Sequence, residues 1–338
     1  MNRCIITPTY SKHFPFIVNY LKSFDKYLQD RNFPIFFVVN AAEYEDLADI
    51  IKEYGSDLNI TIIEYETVLK AFDIYRTPAK LLLELGRISF QTIKKFYSAL
   101  YLGYEQFLVL DSESIMIKET NMDSLFDGYF QNPCFFVSKV SERPKKFKEG
   151  FTYGFLQSAS QMTNYPMDYW TLESYNWFLE LRILKKMIAH YGSLYERISN
   201  TKLPGMFKDE GIEGELLYYP FIIYTPGQFG YTVLETIPEL KKSIGWWNTQ
   251  VFLHHFHHSW RKHGGYLEGL MNFVTEHNVE GMRDFMKSHY LPILRVSRVI
   301  GSNRECLDAT SQCKVVLGEH IHILASSYPE RYLEEIGI

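Results

Sequence analysis

The sequence predicts an α/β protein with a mixed, mostly parallel sheet flanked by helices, and three observations lead there. Through residues 1–140 short apolar runs alternate with amphipathic helical patterns, the signature of strands joined by crossover helices. A chain of 338 residues with 46% hydrophobic and 22% charged residues has an ordinary globular balance and is long enough to bury a large core. Neither an internal repeat nor a low-complexity tract interrupts it, so solenoids and disorder are set aside.

In order, strands are expected at 3–7, 34–40, 60–65 and 106–110, with 134–140 as a further candidate, because each is a short apolar run bounded by polar or turn residues. Between them 14–28, 44–54 and 88–102 carry apolar residues at three- and four-residue intervals, the period of a helix with one buried face. Ser141 to Gly150 is charged, contains Pro144 and ends in glycine, so it reads as an exposed loop. Residues 171–200 read as helical, with Trp177, Leu181, Leu184 and Ile188 in register. A glycine-bounded acidic connection, 205–214, leads into another helix through Tyr224. Residues 250–258 read as a strand ending in histidines, and 266–300 as two or three helices broken near Asn278 and Pro292.

Composition narrows the functional classes. A net charge of −5 lacks the basic footprint that holds a nucleic-acid backbone, so nucleic acid is not an expected partner. The four cysteines, Cys4, Cys134, Cys306 and Cys313, contain no zinc-site spacing. They fit a reducing cytoplasm. The opening Cys4-Ile5-Ile6 lacks the long apolar run of a signal peptide, and no stretch reaches the length of a membrane span, so a cytoplasmic location is expected. Lys287, Arg295, Arg298 and Arg304 lie among apolar residues, an arrangement that fits a packed helix and also peripheral contact with the inner face of an anionic membrane.

The most informative stretch is Phe107-Leu-Val-Leu-Asp-Ser-Glu-Ser114, an apolar strand that breaks into two carboxylates one residue apart. Ligands of open α/β sheets bind beyond the carboxyl ends of the strands, where Asp111 and Glu113 stand. Paired carboxylates repel unless a cation intervenes, and Mg²⁺ or Mn²⁺ takes carboxylate oxygens while leaving positions for phosphates. The bland alternative is a turn cap at Asp111 and a solvated Glu113.

This strand, Leu110-Asp111-Ser112-Glu113 and the following Ile115-Met116-Ile117 resemble the Asp-x-Asp motif of GT-A nucleotide-sugar glycosyltransferases, a Rossmann-like fold, with glutamate in place of the commoner second aspartate. The resemblance spans roughly residues 3–260 as a pattern of elements and includes the opening Ile5-Ile6-Thr7-Pro8-Thr9-Tyr10. It implies a metal-dependent transferase moving a sugar from a nucleotide diphosphate to a glycan or lipid-linked acceptor, of the kind that assembles bacterial capsule or lipopolysaccharide. It also implies a domain at 1–260, divided into a nucleotide-sugar half (1–140) and an acceptor half (141–260), with 261–338 as a mainly helical extension. Asp111 and Glu113 become metal ligands for Mn²⁺ or Mg²⁺, joined by His257 or His258 from the late strand. Arg87 and Lys94 become donor-site cations.

Residue chemistry extends the donor site. Pro8, Thr9 and Tyr10 follow the first strand and offer a hydroxyl and a stacking ring, Asn40 ends the second strand, and Ser112 sits inside the motif. Arg87, Gln91 and Lys94 recur at helical spacing and share one stripe. Four histidines fall within 254–258, and alternation puts His255 and His257 on one strand face and His254 and His258 on the other, so one ion cannot take all four. If the reaction inverts the anomeric centre, a carboxylate must accept the acceptor proton. Glu213, then Glu215 or Asp209, are the candidates. Trp246, Trp247 and Asn248 offer an acceptor platform, with Trp170, Tyr175 and Trp177 as further rings. Two other readings use the same fold: a sugar-phosphate nucleotidyltransferase, disfavoured because no glycine-rich loop follows the first strand, and a non-catalytic carbohydrate-binding protein.

Overall fold

The computed structural model describes residues 1–142, 151–171, 177–201, 211–235, 290, 292–296 and 319–326. In chain order the elements are β1 (Arg3–Pro8), α1 (Phe14–Tyr27), β2 (Ile35–Val39), α2 (Tyr44–Tyr54), β3 (Ile60–Glu64), α3 (Tyr65–Ala71), α4 (Pro78–Leu85), α5 (Arg87–Leu102), β4 (Gln106–Val109), β5 (Ser114–Met116) and α6 (Met122–Gln131). Then come β6 (Cys134–Lys139), α7 (Phe151–Thr163), β7 (Tyr169–Trp170), β8 (Phe178–Glu180), α8 (Leu181–Tyr191), α9 (Leu194–Asn200), α10 (Glu215–Tyr224), β9 (Thr232–Glu235), β10 (Ile293–Val296) and β11 (Ile323–Ser326).

The main sheet runs β3-β2-β1-β4-β8. Its first four strands are parallel, with Ile5 opposite Ile35, Cys4 opposite Phe107 and Phe36 opposite Thr61. β2 is buried along its whole length, as a strand covered on both faces must be, whereas the edge strand β3 is only half-buried. This is the mixed, mostly parallel sheet flanked by helices that the apolar runs predict. The parallel strands bring the loops after β1, β2, β3 and β4 to one edge.

α5 is the pivot of the packing. It touches β1, α3, α4, α8 and α9, and ten of its sixteen residues are buried. Gly103 closes it in the left-handed conformation, φ 73°, where a side chain is disfavoured. The preceding α4 starts on Thr77, whose hydroxyl accepts from the Lys80 amide, with Pro78 in the first turn.

Three expectations change. Phe178–Glu180 is not the start of a helix: it pairs antiparallel with β4, Phe178 opposite Leu108, and completes the sheet before α8 begins at Leu181. Its apolar residues continue the helical spacing by coincidence, because a three-residue buried strand is too short to display a period of two. The candidate strand at 134–140 forms but belongs to a second sheet, β7-β6-β9. Ile293–Val296, expected within a helical stretch, is a strand parallel to β11, and β11 pairs antiparallel with β5. The rest of the expected helices at 266–300, and the strand expected at 250–258, lie outside the described residues.

Candidate functional site

β4 does not stop abruptly. The Leu110 amide donates to the Ile6 carbonyl at 3.0 Å, extending the parallel pairing by one residue, and the chain then turns, the Ser114 amide bonding the Asp111 carbonyl at 3.0 Å. Asp111, Ser112 and Glu113 therefore occupy one tight turn between β4 and β5. Asp111 is one-third exposed and Glu113 less so, while Ser112 is buried.

The turn is held from two sides, Asp111 by α5 and Ser112 and Glu113 by the segment after β1. The Asp111 Oδ1 lies 3.3 Å from Lys95 Nζ of α5, and that ammonium sits 3.8 Å from the ring centre of buried Trp177. Ser112 Oγ lies 2.9 Å from His13 Nδ1, and Glu113 Oε1 lies 3.4 Å from the same nitrogen. The His13 ring in turn packs on Tyr10, with centroids 4.2 Å apart. The loop after β1 and the motif after β4 are thus one unit, as expected of adjacent parallel strands. Burial raises the Tyr10 hydroxyl pKa, helped by the charges of Glu113 and Glu43 and opposed by Arg87.

Carboxylates stitch the neighbouring loops together. Glu43 accepts the Ser11 amide and the Asn40 side-chain amide, both at 2.9 Å, and Glu66 accepts the Ala41 amide at 2.8 Å. Each loop is pinned by an acid from the next. Lys94 lies beneath them, its ammonium donating to the Thr9 carbonyl at 2.9 Å and facing the Tyr65 ring at 5.3 Å. Burial pulls its pKa down to about 8, with Glu43 and Glu66 opposing. Thr9 Oγ1 and Asn40 Oδ1 are buried without a hydrogen-bond partner among the described residues.

One turn nearer the start of α5, Ser89 Oγ accepts the Ile212 amide at 2.9 Å and Thr92 Oγ1 donates to the Ile212 carbonyl at 2.8 Å. These two hydrogen bonds, to the amide and the carbonyl of one residue, fix the approach to α10. The Glu213 carbonyl accepts from Leu216 in the first turn, and its residue is half-buried, whereas Glu215 is buried. α5 therefore links Asp111, the Thr9 loop and the Glu213 segment.

Residues 17–133 match the model of a family of unknown function, DUF6492. No curated protein matches the sequence. Among solved structures the chain is similar to mouse xyloside xylosyltransferase 1 in its apo form, at 10% identity and TM-score 0.38, covering 70% of this chain and 86% of that one. It is also similar to the apo structure of the bifunctional glycosyltransferase WbbM, at 10% identity and TM-score 0.49, covering 99% of this chain and 49% of that one. The chain thus spans about half the length of the second protein. Likeness at this level leaves the chemistry to be read from the site itself.

The structure brings together Pro8, Thr9, Tyr10, Asn40, Asp111, Ser112 and Glu113 at one sheet edge. It separates the expected stripe on α5: Arg87 and Gln91 are exposed, but Lys94 is turned into the protein. Trp170 and Trp177 are buried, which removes them as exposed sugar platforms. Asp209, Tyr175, Trp246, Trp247, Asn248, His257 and His258 lie outside the described residues.

The expected metal can be tested against the turn. Among the described residues no group of three or more His, Cys, Asp or Glu side chains is placed to cage an ion. Two partly exposed carboxylates on one turn fit the open mode in which Mg²⁺ or Mn²⁺ is shared between one or two acids and a ligand's phosphates. Asp111 and Glu113 are the residues that would hold it. Sequence reasoning missed His13, Glu43, Glu66, Ser89, Thr92 and Lys95. Of these only Lys95 carried a usable signal, as a charged residue within a stretch that α5 must bury to cover the sheet.

Proposed function

We propose that this chain is a glycosyltransferase of the GT-A type that takes a nucleotide-diphosphate sugar as donor and holds it at the Asp111–Ser112–Glu113 turn with Mn²⁺ or Mg²⁺. The observation that carries this reading is the union of that turn with the loop after β1: Ser112 and Glu113 meet His13, and His13 meets Tyr10. Carboxylates, a stacking ring and buried hydroxyl and amide oxygens at one sheet edge match the parts of a nucleotide sugar.

The metal, when bound, would neutralise the charge that grows on the diphosphate as the sugar departs. The chain's own residues do the rest. Asp111 and Glu113 orient the cation, Tyr10 offers a face to the base, and Thr9 and Asn40 offer polar oxygens beside it. Arg87, exposed at the start of α5 and within the electrostatic reach of Tyr10, adds positive charge at the mouth. For an inverting reaction Glu213, half-buried and next to Ile212 with its two hydrogen bonds to α5, is the group to take the acceptor's proton; Glu215 is too enclosed to do so without rearrangement. The acceptor is proposed to be a glycan or lipid-linked saccharide, as in capsule or lipopolysaccharide assembly.

The test is donor hydrolysis. Incubated with Mn²⁺ and a panel of nucleotide sugars, the protein is expected to release free sugar and nucleoside diphosphate from one donor class, detected by mass spectrometry, and Asp111→Asn to lower that rate by about 100-fold or more. Absence of release from every donor, with and without added saccharide acceptors, overturns the proposal.

A further inference from the structure

Lys95 is an unusual neighbour for a metal-binding acid. Its ammonium lies 3.3 Å from Asp111 Oδ1, its side chain is only 11% exposed, and Trp177 covers it at 3.8 Å. The carboxylate and the aromatic face both attract the ammonium and hold it beside Asp111 while no other cation is there. The first carboxylate of the turn therefore already has a counter-ion, supplied by α5. A divalent ion arriving at the same oxygen meets both competition for the carboxylate and repulsion from the ammonium.

We infer that Lys95 is an exchanging cation of the donor site: it neutralises Asp111 in the free protein and moves to the donor's phosphate oxygens when a metal ion takes Asp111. The geometry favours exchange over simple structural pairing. Asp111 remains one-third exposed, so its carboxylate is reachable from solvent, while the lysine comes from the buried side and is anchored by Trp177. The backbone of Lys95 is set in the middle of α5, so a change of partner needs movement of its flexible side chain alone. Exchange also gives the site charge economy: without ligand the acid is balanced, and with metal and diphosphate the released ammonium meets new negative charge.

The inference rests on the reading of the turn as a donor site, and the experiment separates the two. Mn²⁺ alone is titrated by electron paramagnetic resonance, and uridine and guanosine diphosphates by calorimetry at saturating Mn²⁺. Wild type is compared with Lys95→Met, which keeps the buried stem, and Lys95→Arg, which keeps the charge. Lys95→Met is expected to bind Mn²⁺ about 3- to 10-fold more tightly than wild type, because the competing charge is gone, and the diphosphate about 10-fold more weakly. Lys95→Arg should return both affinities toward wild type. A lysine that merely props the fold would weaken both ligands together and lower the melting temperature. Mn²⁺ binding that is unchanged or weaker in a folded Lys95→Met protein overturns the inference. Should Lys95→Met fail to fold, Lys95→Gln is read against the same expectations. Wild type that binds neither Mn²⁺ nor any diphosphate overturns both the inference and the donor site itself.

Discussion

Lys94 and Lys95 are consecutive on one helix, both are buried, and they have different company. Lys95 meets a carboxylate at 3.3 Å, whereas Lys94 meets a carbonyl and a ring and feels Glu43 and Glu66 only at longer range. Desolvation consequently dominates at Lys94 and lowers its pKa from 10.5 to about 8. The consequence for stability has a definite sign. Below about pH 8 the ammonium is charged in both folded and unfolded chains, and its burial cost is felt in full. Between about 8 and 10.5 the unfolded chain keeps a proton that the folded chain releases, so this group's contribution to stability rises with pH. The gain amounts to at most about 3 kcal/mol. Urea unfolding of wild type and Lys94→Met at pH 7.5 and pH 10 should show the difference between them shifting in favour of wild type at the higher pH. A difference that stays constant would mean that Lys94 is better solvated than its surroundings imply.

At the scale of elements, the approach to α10 shows how tightly the second half of the site is fixed. Gly211 has φ 91°, a region L side chains avoid, and a Cβ there would lie 2.2 Å from Ser89 Oγ and 2.6 Å from the Ser89 amide nitrogen. Backbone and backbone-bound hydroxyl cannot yield as a flexible side chain can. Gly211→Ala is therefore expected to cost about 1–3 kcal/mol in chemical unfolding and to displace Glu213 with its segment. Retention of wild-type stability would show that the Ser89–Ile212 bond does not hold this segment. The same elements explain what the sequence disclosed. β1, β2, β3 and β4 were legible as apolar runs bounded by turn residues, and α1, α2 and α5 because each is long enough to express its period. β8 was not, since three residues beside Trp177 continue a helical spacing, nor was β10, whose apolar residues fall in a stretch that also reads as helical. Of the residues gathered at the sheet edge, Asp111, Glu113, Thr9, Tyr10 and Asn40 were readable as candidates from strand ends. His13, Glu43 and Glu66 were not, because the contacts that tie them to Ser112, Ser11 and Ala41 span 99, 32 and 25 residues and exist only in the folded loops.

Over the whole molecule, distant segments converge on the stretch around the motif. β11 pairs with β5 directly after Glu113, the Ile117 amide bonds the His322 carbonyl at 3.0 Å, and Lys118 donates to the Glu319 carbonyl at 2.8 Å. Burial and the charge of Lys118 push His322 down to about 4, so it stays neutral near pH 7 and pairs with the Thr120 hydroxyl at 3.0 Å without adding charge. The turn is thus braced from β1 by His13, from α5 by Lys95 and from the chain's last described strands. A ligand that binds this turn binds only the folded protein, and its affinity must appear as stability of the whole fold, about 2.7 kcal/mol at a hundredfold excess over Kd. The direct measurement is the melting temperature with and without a nucleoside diphosphate in Mn²⁺, for wild type and for Asp111→Asn. The account predicts a rise of several degrees for wild type with at least one diphosphate and none for Asp111→Asn. An equal rise in both proteins would place the nucleotide away from Asp111, and no rise in wild type with any nucleoside diphosphate would contradict the donor site.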